Sequence, residues 1–460
     1  MNFKLGVFAL ACVMLASCGG GGGGGGADSN GGAAVNAPPA SGYPAAAATC
    51  DPAGQRAWLR DYMNDQYFWY DQQGVPDAAA KDMSAYLASL LFAPTDRYSY
   101  AQSTAEYTQF FEQGHRTGYG YSLAWADTAQ TVLKVRTIEA LSPAGLAGLR
   151  RGDTIVTIDG YTPTQIVNGQ PGSVDAAGIA RNFVVINAAG VQRNLIVNSA
   201  QYPLSPVVDA RVMTAANGAK VGYLAYQEFI STGAAAMATA IDGFRVAGVT
   251  ELVLDLRYNG GGSTTQARNL ASLLGGSALS GRVFAQYRFN AKNTASNFSQ
   301  GFTASTSTLL AGPLETLSRV VIITSGGTAS ASELVINGLR PFKNVITIGA
   351  TTYGKPYGFL PRDACGTTYS AVNFNTVNAQ GFGDYSTGIV PTCTVADDLT
   401  RQLGDPAEQR TAAALTYIAT GVCPAAVPGA GAKAAGQPVS DSRRNELGFG
   451  ETSPRQARLD

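Results

Sequence analysis

The chain has 460 residues, of which 14% are charged, with 32 basic and 32 acidic side chains and a formal net charge of zero. That length allows two or three domains, and the balanced charge argues against a nucleic-acid partner, which would require a basic face. The single histidine, His115, excludes a zinc site built on several histidines, and any Ser-His-Asp enzyme would have to use it.

The first residues, MNFKLGVFALACVMLASC, have a basic start at Lys4. The apolar core of about thirteen residues that follows is too short to span a bilayer and has signal-peptide proportions. Leu15-Ala16-Ser17-Cys18 resembles the bacterial lipobox. The resemblance implies removal of residues 1–17 and a lipid anchor on Cys18, and Gly19 after the cysteine resembles the pattern sorted to the outer membrane, facing the periplasm or cell surface. Residues 18–50, with the run Gly19 to Gly26, hold hardly a large side chain, so a flexible tether is expected there. Four further cysteines, Cys50, Cys365, Cys393 and Cys423, predict two disulfides in an exported chain. The pairing expected is Cys365–Cys393 across a hairpin and Cys50–Cys423 joining the chain ends. The cysteine spacing does not fit a zinc knuckle, and nothing implies a metal or another cofactor.

Residues 51–114 read as a small N-terminal helical bundle. Trp58, Leu59, Tyr62, Met63, Tyr67, Phe68 and Trp69 recur at three- and four-residue spacing, and Met83 to Phe92 repeats the pattern, as a buried stripe does. From Gly118 the period changes to short strands, through GYGYSLAW and TVLKVRTI to SPAGLAGLRRGDTIVTIDGYTP. This stretch, within 115–205, closely resembles a PDZ domain. In that domain a partner's C-terminus adds a strand beside an exposed edge and loop amides capture its carboxylate. The matching loop is Gly118-Tyr119-Gly120-Tyr121. The plainer alternative is a β-rich spacer that binds nothing.

Residues 206–423 read as an α/β core. The strand Val221 to Tyr226, a helical stretch Gly233 to Val246 and the strand Leu252 to Leu256 lead into Arg257-Tyr258-Asn259-Gly260-Gly261-Gly262, with a helix from about Thr264. No Gly-Lys-Ser/Thr follows this glycine loop, which argues against nucleotide binding. A second unit runs from the apolar strand Val320 to Ile323 through Gly326 and Gly327, a helix near Ser330 and the strand Val345 to Ile348, to Lys355. Strand–turn–helix–strand predicts parallel strands, so loops 259–262, 326–330 and 353–355 should open on one carboxyl edge. A serine and a lysine meeting there away from water point to a nucleophile and its base. On its own, Ser330-Ala331-Ser332-Glu333 is a capping box. Ser332 cannot share the role of Ser330, because two helical residues turn a side chain about 200° away. Thr367 to Pro391 alternates like a hairpin, 405–420 reads as a closing helix, and 424–460 reads as a disordered tail.

Together these motifs closely resemble the carboxyl-terminal (tail-specific) processing peptidases, over roughly residues 55 to 420. Asp255-Leu256-Arg257-Tyr258-Asn259-Gly260-Gly261-Gly262 is similar to the family's DLRxNxGG, Thr328-Ala329-Ser330-Ala331-Ser332-Glu333 to its TASASE, and Tyr353-Gly354-Lys355 to its FGK. The resemblance implies a crotonase-like (ClpP/crotonase) α/β catalytic core within a multidomain α/β chain. It makes Ser330 the nucleophile and Lys355 the general base, with the amides of Gly261 and Ala331 as oxyanion hole. It also implies protein or peptide substrates with free C-termini and a PDZ part that gates the site. One position departs: where the family often has a glutamine to orient the amine, four residues after the lysine, this chain has Phe359. A catalytically silent PDZ-bearing binding protein on the same fold is therefore the rival reading. An acyl-CoA enzyme of that fold fits an exported chain poorly.

Overall fold

The computed structural model describes residues 47, 49–172, 174, 176–303, 309–425 and the pair 449–450. The signal segment 1–17, the lipidation position Cys18, most of the tether and most of the tail lie outside the described residues.

The N-terminal part begins with helix α1 (Pro52–Gln66), whose N-cap Asp51 accepts from the amides of Ala53 and Gly54 at 3.0 Å, ahead of proline at N1. Helix α2 (Met83–Leu90), strand β1 (Tyr100–Ser103) and helix α3 (Thr104–Phe111) follow. Trp58, Leu59, Tyr62 and Met63 of α1 and Tyr86, Leu87 and Leu90 of α2 are buried as the stripe predicts, but not in a bundle of their own. They share one cluster with Phe359, Tyr369, Ala371 and Val372, and β1 pairs antiparallel with residues 367–370. Two short helices present too little apolar surface to close a core alone, and the far end of the chain completes it.

The next part holds β2 (His115–Gly118), β3 (Tyr121–Trp125), β4 (Leu133–Ile138), α4 (Pro143–Leu146), β5 (Thr154–Ile158), α5 (Pro163–Val167), β6 (Ala180–Ile186), β7 (Gln192–Asn198) and β8 (Ala200–Pro203). Strands β3 to β7 form an antiparallel sheet in chain order around Leu123, Val135, Leu149, Ile155, Phe183 and Val185. Strands β2 and β8 pair separately, His115 opposite Pro203, as a two-stranded stalk at the part's entry and exit. The outer edge of β3 is occupied: Phe449 pairs opposite Leu123 and Gly450 opposite Ser122. The tail predicted as structureless thus returns to the sheet at one point, because an edge strand presents unpaired amides and carbonyls that an extended segment can satisfy.

The core sheet contains β9 (Val207–Thr214), β10 (Lys220–Tyr226), β11 (Glu251–Asp255), β14 (Arg319–Thr324), β15 (Asn344–Gly349) and β20 (Cys393–Thr394), ordered β20-β15-β14-β11-β10-β9. Only β9 runs antiparallel to its neighbour. Its central strands are continuous apolar runs, as a parallel sheet covered on both faces requires. On its faces lie α6 (Ala234–Val246), α7 (Thr264–Gly275), α8 (Ala331–Leu339) and α9 (Gln409–Thr420). The parallel pairing predicted for the Ser330–Lys355 unit is present, with Val320 opposite Val345 and Ile323 opposite Ile348.

A second sheet is ordered β13 (Phe298–Gly301), β12 (Val283–Phe289), β19 (Val372–Val377), β16 (Tyr357–Phe359). Residues 367–391 do not fold as a hairpin. Strand β18 (Thr367–Ser370) pairs with β17 (Arg362–Ala364) and β1, while β19 turns at Ala371 into the second sheet. The disulfides are Cys50–Cys365 and Cys393–Cys423, not the pairs expected. The expected pairing assumed a 365–393 hairpin. With those strands in different sheets, Cys365 meets the N-terminal segment, and Cys393, on the sheet edge, meets the end of α9.

Candidate active site

Strands β11, β14 and β15 end at Asp255, Thr324 and Gly349, so the loops that follow them open on one edge. The first two interlock through the backbone. Ala329 N donates to Asn259 O at 3.0 Å, Thr328 Oγ1 donates to Leu256 O at 2.7 Å, and Ser325 Oγ donates to Arg257 O. The third joins when Tyr353 N donates to Thr328 O at 2.9 Å. Gly354 in that loop has φ +87, and a Cβ there would stand 2.4 Å from Ser386 O, so no other residue fits.

One carboxylate ties Ser330 and Lys355 together. Glu333, fully buried in the first turn of α8, accepts from four donors. Its Oε2 takes the amides of Ser330 and Lys355, each at 2.8 Å, and its Oε1 takes Gly354 N at 2.7 Å and Thr352 Oγ1 at 2.5 Å. Burial raises its pKa, and those hydrogen bonds work the other way by favouring the carboxylate. The capping box read from sequence contributes the Glu333-to-Ser330 bond. The same carboxylate then reaches across to the third loop, which local helix chemistry did not predict.

Ser330 is 2% exposed and has φ +62, a conformation uncommon outside glycine. Such a backbone costs on the order of 1–3 kcal/mol and persists where its surroundings enforce it. Gly261, at φ +110, lies close against it: a Cβ on Gly261 would meet Ser330 Cβ at 2.9 Å and Ala331 N at 3.1 Å. The amides of Gly261 and Ala331 thus flank Ser330. In this conformation Gly261 N donates to Asn259 Oδ1 at 2.8 Å. Ala331 opens α8, where an amide has no partner within the helix. Ser332 turns away, as its position requires, and donates to Asn259 O at 3.0 Å.

Lys355 is 2% exposed, and its Nζ has no hydrogen-bond partner among the described residues. It lies 3.7 Å from the ring centroid of Phe359 and 5.9 Å from that of Tyr98. Burial drives its pKa well below the ordinary lysine range, and the charges of Asp96 and Glu333 offset this only in part. The amine is poised to be neutral.

The N-terminal part supplies walls that the sequence did not reveal. Arg97 Nη2 donates to the carbonyls of Tyr353 at 3.0 Å and Ser386 at 3.1 Å, and Tyr98 Oη donates to Gly354 O at 2.7 Å. These residues sit in a turn with no periodic signal.

The loop Gly118-Tyr119-Gly120-Tyr121 joins β2 to β3 and is held by Glu139 N, just after β4, which donates to Gly120 O at 2.9 Å, and by Ala144 N of α4, which donates to Tyr119 O at 3.0 Å. The 115–205 part meets the glycine loop at Tyr258. Arg151 Nη1 donates to Tyr258 Oη at 2.8 Å, and the Arg136 guanidinium lies 4.7 Å above the Tyr258 ring. Arg151 also reaches Arg401 O, Asp397 and Asp398 O. Beneath Tyr258, the buried Arg257 is paired with Asp255, Asp397 and Glu408 at 2.8–3.1 Å.

Comparison with known proteins gives two family matches: Peptidase family S41 over residues 220–391 and the Peptidase S41 N-terminal domain over 54–100. The chain is 27% identical to the chloroplastic C-terminal processing peptidase of Tetradesmus obliquus over 264 residues, 53% of this chain and 52% of that one. It is 26% identical to the chloroplastic carboxyl-terminal-processing peptidase 3 of Arabidopsis thaliana over 292 residues, 61% of this chain and 53% of that one. The chain thus spans about half the length of these curated relatives. Among solved structures it matches one from Bacteroides fragilis, described as an S41 protease, with TM-score 0.63 and 26% identity, covering 78% of this chain and 96% of that one.

Proposed function

We propose, from the premise that the chain is a member of peptidase family S41, that it is a serine endopeptidase of the C-terminal processing type. Its substrates are unfolded or loosely ordered exported proteins, cut near their C-termini. Ser330 is the nucleophile and Lys355 the general base. The observation that carries the reading is the shared Glu333 carboxylate, which fixes the backbone of both residues while the Lys355 amine stays buried with no hydrogen-bond partner among the described residues.

The chemistry follows from those positions. Ser330 Oγ attacks the peptide carbonyl as its proton passes to the neutral Lys355 Nζ. The developing oxyanion is stabilised by the Ala331 amide and by the Gly261 amide once that amide turns from Asn259 Oδ1 toward substrate. Lys355 then returns the proton to the departing amine, leaving an acyl-enzyme that water hydrolyses with Lys355 again as base. No metal or cofactor enters this scheme.

The domain assignment is 51–114 helical, 115–205 PDZ-like and 206–423 catalytic. Gly118, Tyr119, Gly120 and Tyr121 receive the substrate's C-terminus, and the Arg151–Tyr258 contact gives the PDZ-like part a route to the glycine loop. A lipid on Cys18 would anchor the enzyme to the outer membrane, facing the periplasm. The rival reading, a binding protein without activity, draws on Phe359 and on the occupied Gly261 amide.

The test is cleavage of an unfolded protein by the soluble part, from about residue 50, in wild type, Ser330→Ala and Lys355→Ala across pH 6 to 10. The peptidase reading expects wild type to cut and both variants to lose at least about a thousandfold in rate. Because Lys355 acts as its neutral form, activity should rise with pH through a limb well below the ordinary lysine value of about 10.4. A wild type no faster than Ser330→Ala leaves the binding protein standing.

A further inference from the structure

Phe359 is the residue that breaks the family pattern, and the structure puts it against the amine. It lies on β16, which pairs with β19 through Tyr357 opposite Asn375 and Gly358 opposite Phe374, then slips so that Phe359 faces Val372. A slip of this kind is a β-bulge, which re-aims the side chain that follows. The Phe359 ring, 1% exposed, is braced by Tyr100 with centroids 5.9 Å apart and planes at 73°. Its face carries Lys355 Nζ at 3.7 Å.

The other charged and titratable groups around the amine are committed elsewhere. Asp96 accepts from Tyr67 Oη at 2.7 Å and from the Ser99 hydroxyl at 2.5 Å. Arg97 donates to loop carbonyls, Tyr98 Oη donates to Gly354 O, and both Glu333 oxygens are filled. Burial raises the pKa values of Tyr357 and Tyr385, which keeps both phenols neutral.

We propose that Phe359 is a positioning residue for Lys355, its ring face standing where a carboxamide oxygen would otherwise orient the amine. The inference rests on the Ser330–Lys355 reading above. An N–H directed at a ring face is a weak hydrogen bond, and it leaves the nitrogen lone pair free to take the Ser330 proton. A carboxamide oxygen in the same dry site would favour the ammonium more strongly. The aromatic face thus fixes the amine with less bias toward the charged form.

The experiment compares pH–rate profiles of wild type, Phe359→Leu and Phe359→Gln, with thermal melts to establish that each variant is folded. Phe359→Gln adds an acceptor, so its limb should move to higher pH by about one unit. Phe359→Leu keeps an apolar side chain, somewhat smaller, and loses the ring face. Its limb should move to lower pH, and its plateau kcat should fall roughly tenfold with KM within about twofold of wild type. Opposite limb shifts are what a packing role would not produce. If both variants keep the wild-type limb and plateau, or both shift in one direction, the positioning role is overturned. If Lys355→Ala itself remains active, the Ser-Lys reading has failed instead, and the two failures are told apart.

Discussion

Two of the cationic side chains buried in the α/β core, Arg257 and Lys355, are treated in opposite ways. Arg257, 1% exposed, is met by the carboxylates of Asp255 and Glu408, each in a two-nitrogen grip, and by Asp397. Burial alone would lower its pKa, but those carboxylates outweigh it and hold the guanidinium charged. Lys355, 2% exposed, is met by aromatic faces, and burial prevails over the more distant Asp96 and Glu333. A buried charge is costly unless it is paired. Where partners are supplied the proton stays and the residue is scaffold. Where they are withheld the proton can leave and the residue becomes available for chemistry.

Three substitutions would sharpen or break that contrast. The largest effect is expected for Arg257→Met, which strands the Asp255, Asp397 and Glu408 carboxylates and should destabilise the fold by about 3–5 kcal/mol in equilibrium denaturation. Asp397 and Glu408 have depressed folded pKa values. Their contribution is present above the ordinary carboxylate range of about 4 and is lost as pH falls below it, so the Arg257→Met deficit should shrink in acid. An unchanged denaturation midpoint would show that the network contributes nothing net.

Next comes Glu333→Gln. Glutamine replaces one acceptor oxygen with an NH2 group, which would face the two amides of Ser330 and Lys355 at Oε2, or the Gly354 amide and a Thr352 hydroxyl able to turn and accept at Oε1, so at least one hydrogen bond becomes a clash. A loss of about 3 kcal/mol is expected, with a fall in kcat of at least about tenfold as Ser330 and Lys355 lose their common tie. Full activity on a folded Glu333→Gln variant would remove the shared carboxylate as the organiser of the site.

The smallest effect has the opposite sign. Lys355→Met should abolish activity yet raise stability at pH 7 by about 1–2 kcal/mol, read as an increase in Tm. Unfolded lysine keeps its proton up to about pH 10.4, whereas folded Lys355 gives its proton up earlier. The unfolded wild type therefore holds more protons across that window, and wild-type stability climbs with pH. The advantage of methionine should accordingly narrow toward pH 10. A destabilised variant would mean that Lys355 is held by interactions stronger than aromatic packing.

Much of the core was legible because its signals are local. Apolar runs ending in glycine turns located β11, β14 and β15, and the parallel strands that strand–helix–strand units imply sent their loops to one edge. The stripe of Trp58, Leu59, Tyr62 and Met63 was correctly read as buried, while its partner surface, 300 residues downstream, carries no mark in the stripe itself. The reach of Glu333 from the capping position to Gly354 and Lys355 was hidden for the same reason: a side chain that satisfies a local motif leaves no sign of a second set of partners. Phe359 was visible as a departure, but its meaning depends on a bulge that no pattern of alternation encodes. The disulfide pairing failed on one misassigned hairpin.

Those two disulfides also govern what a cut in the chain would do. Cys50–Cys365 closes one covalent loop and Cys393–Cys423 another. A nick anywhere inside either loop leaves both fragments joined, so an oxidised sample nicked there would run as an intact chain on a non-reducing gel. Between residues 50 and 423, only the stretch 366–392, which contains β18 and β19, lies outside both loops. If the molecule hydrolyses peptide bonds as proposed above, damage by its own kind would go unseen until the sulfurs were reduced, and that short span is where the two cross-links give no protection.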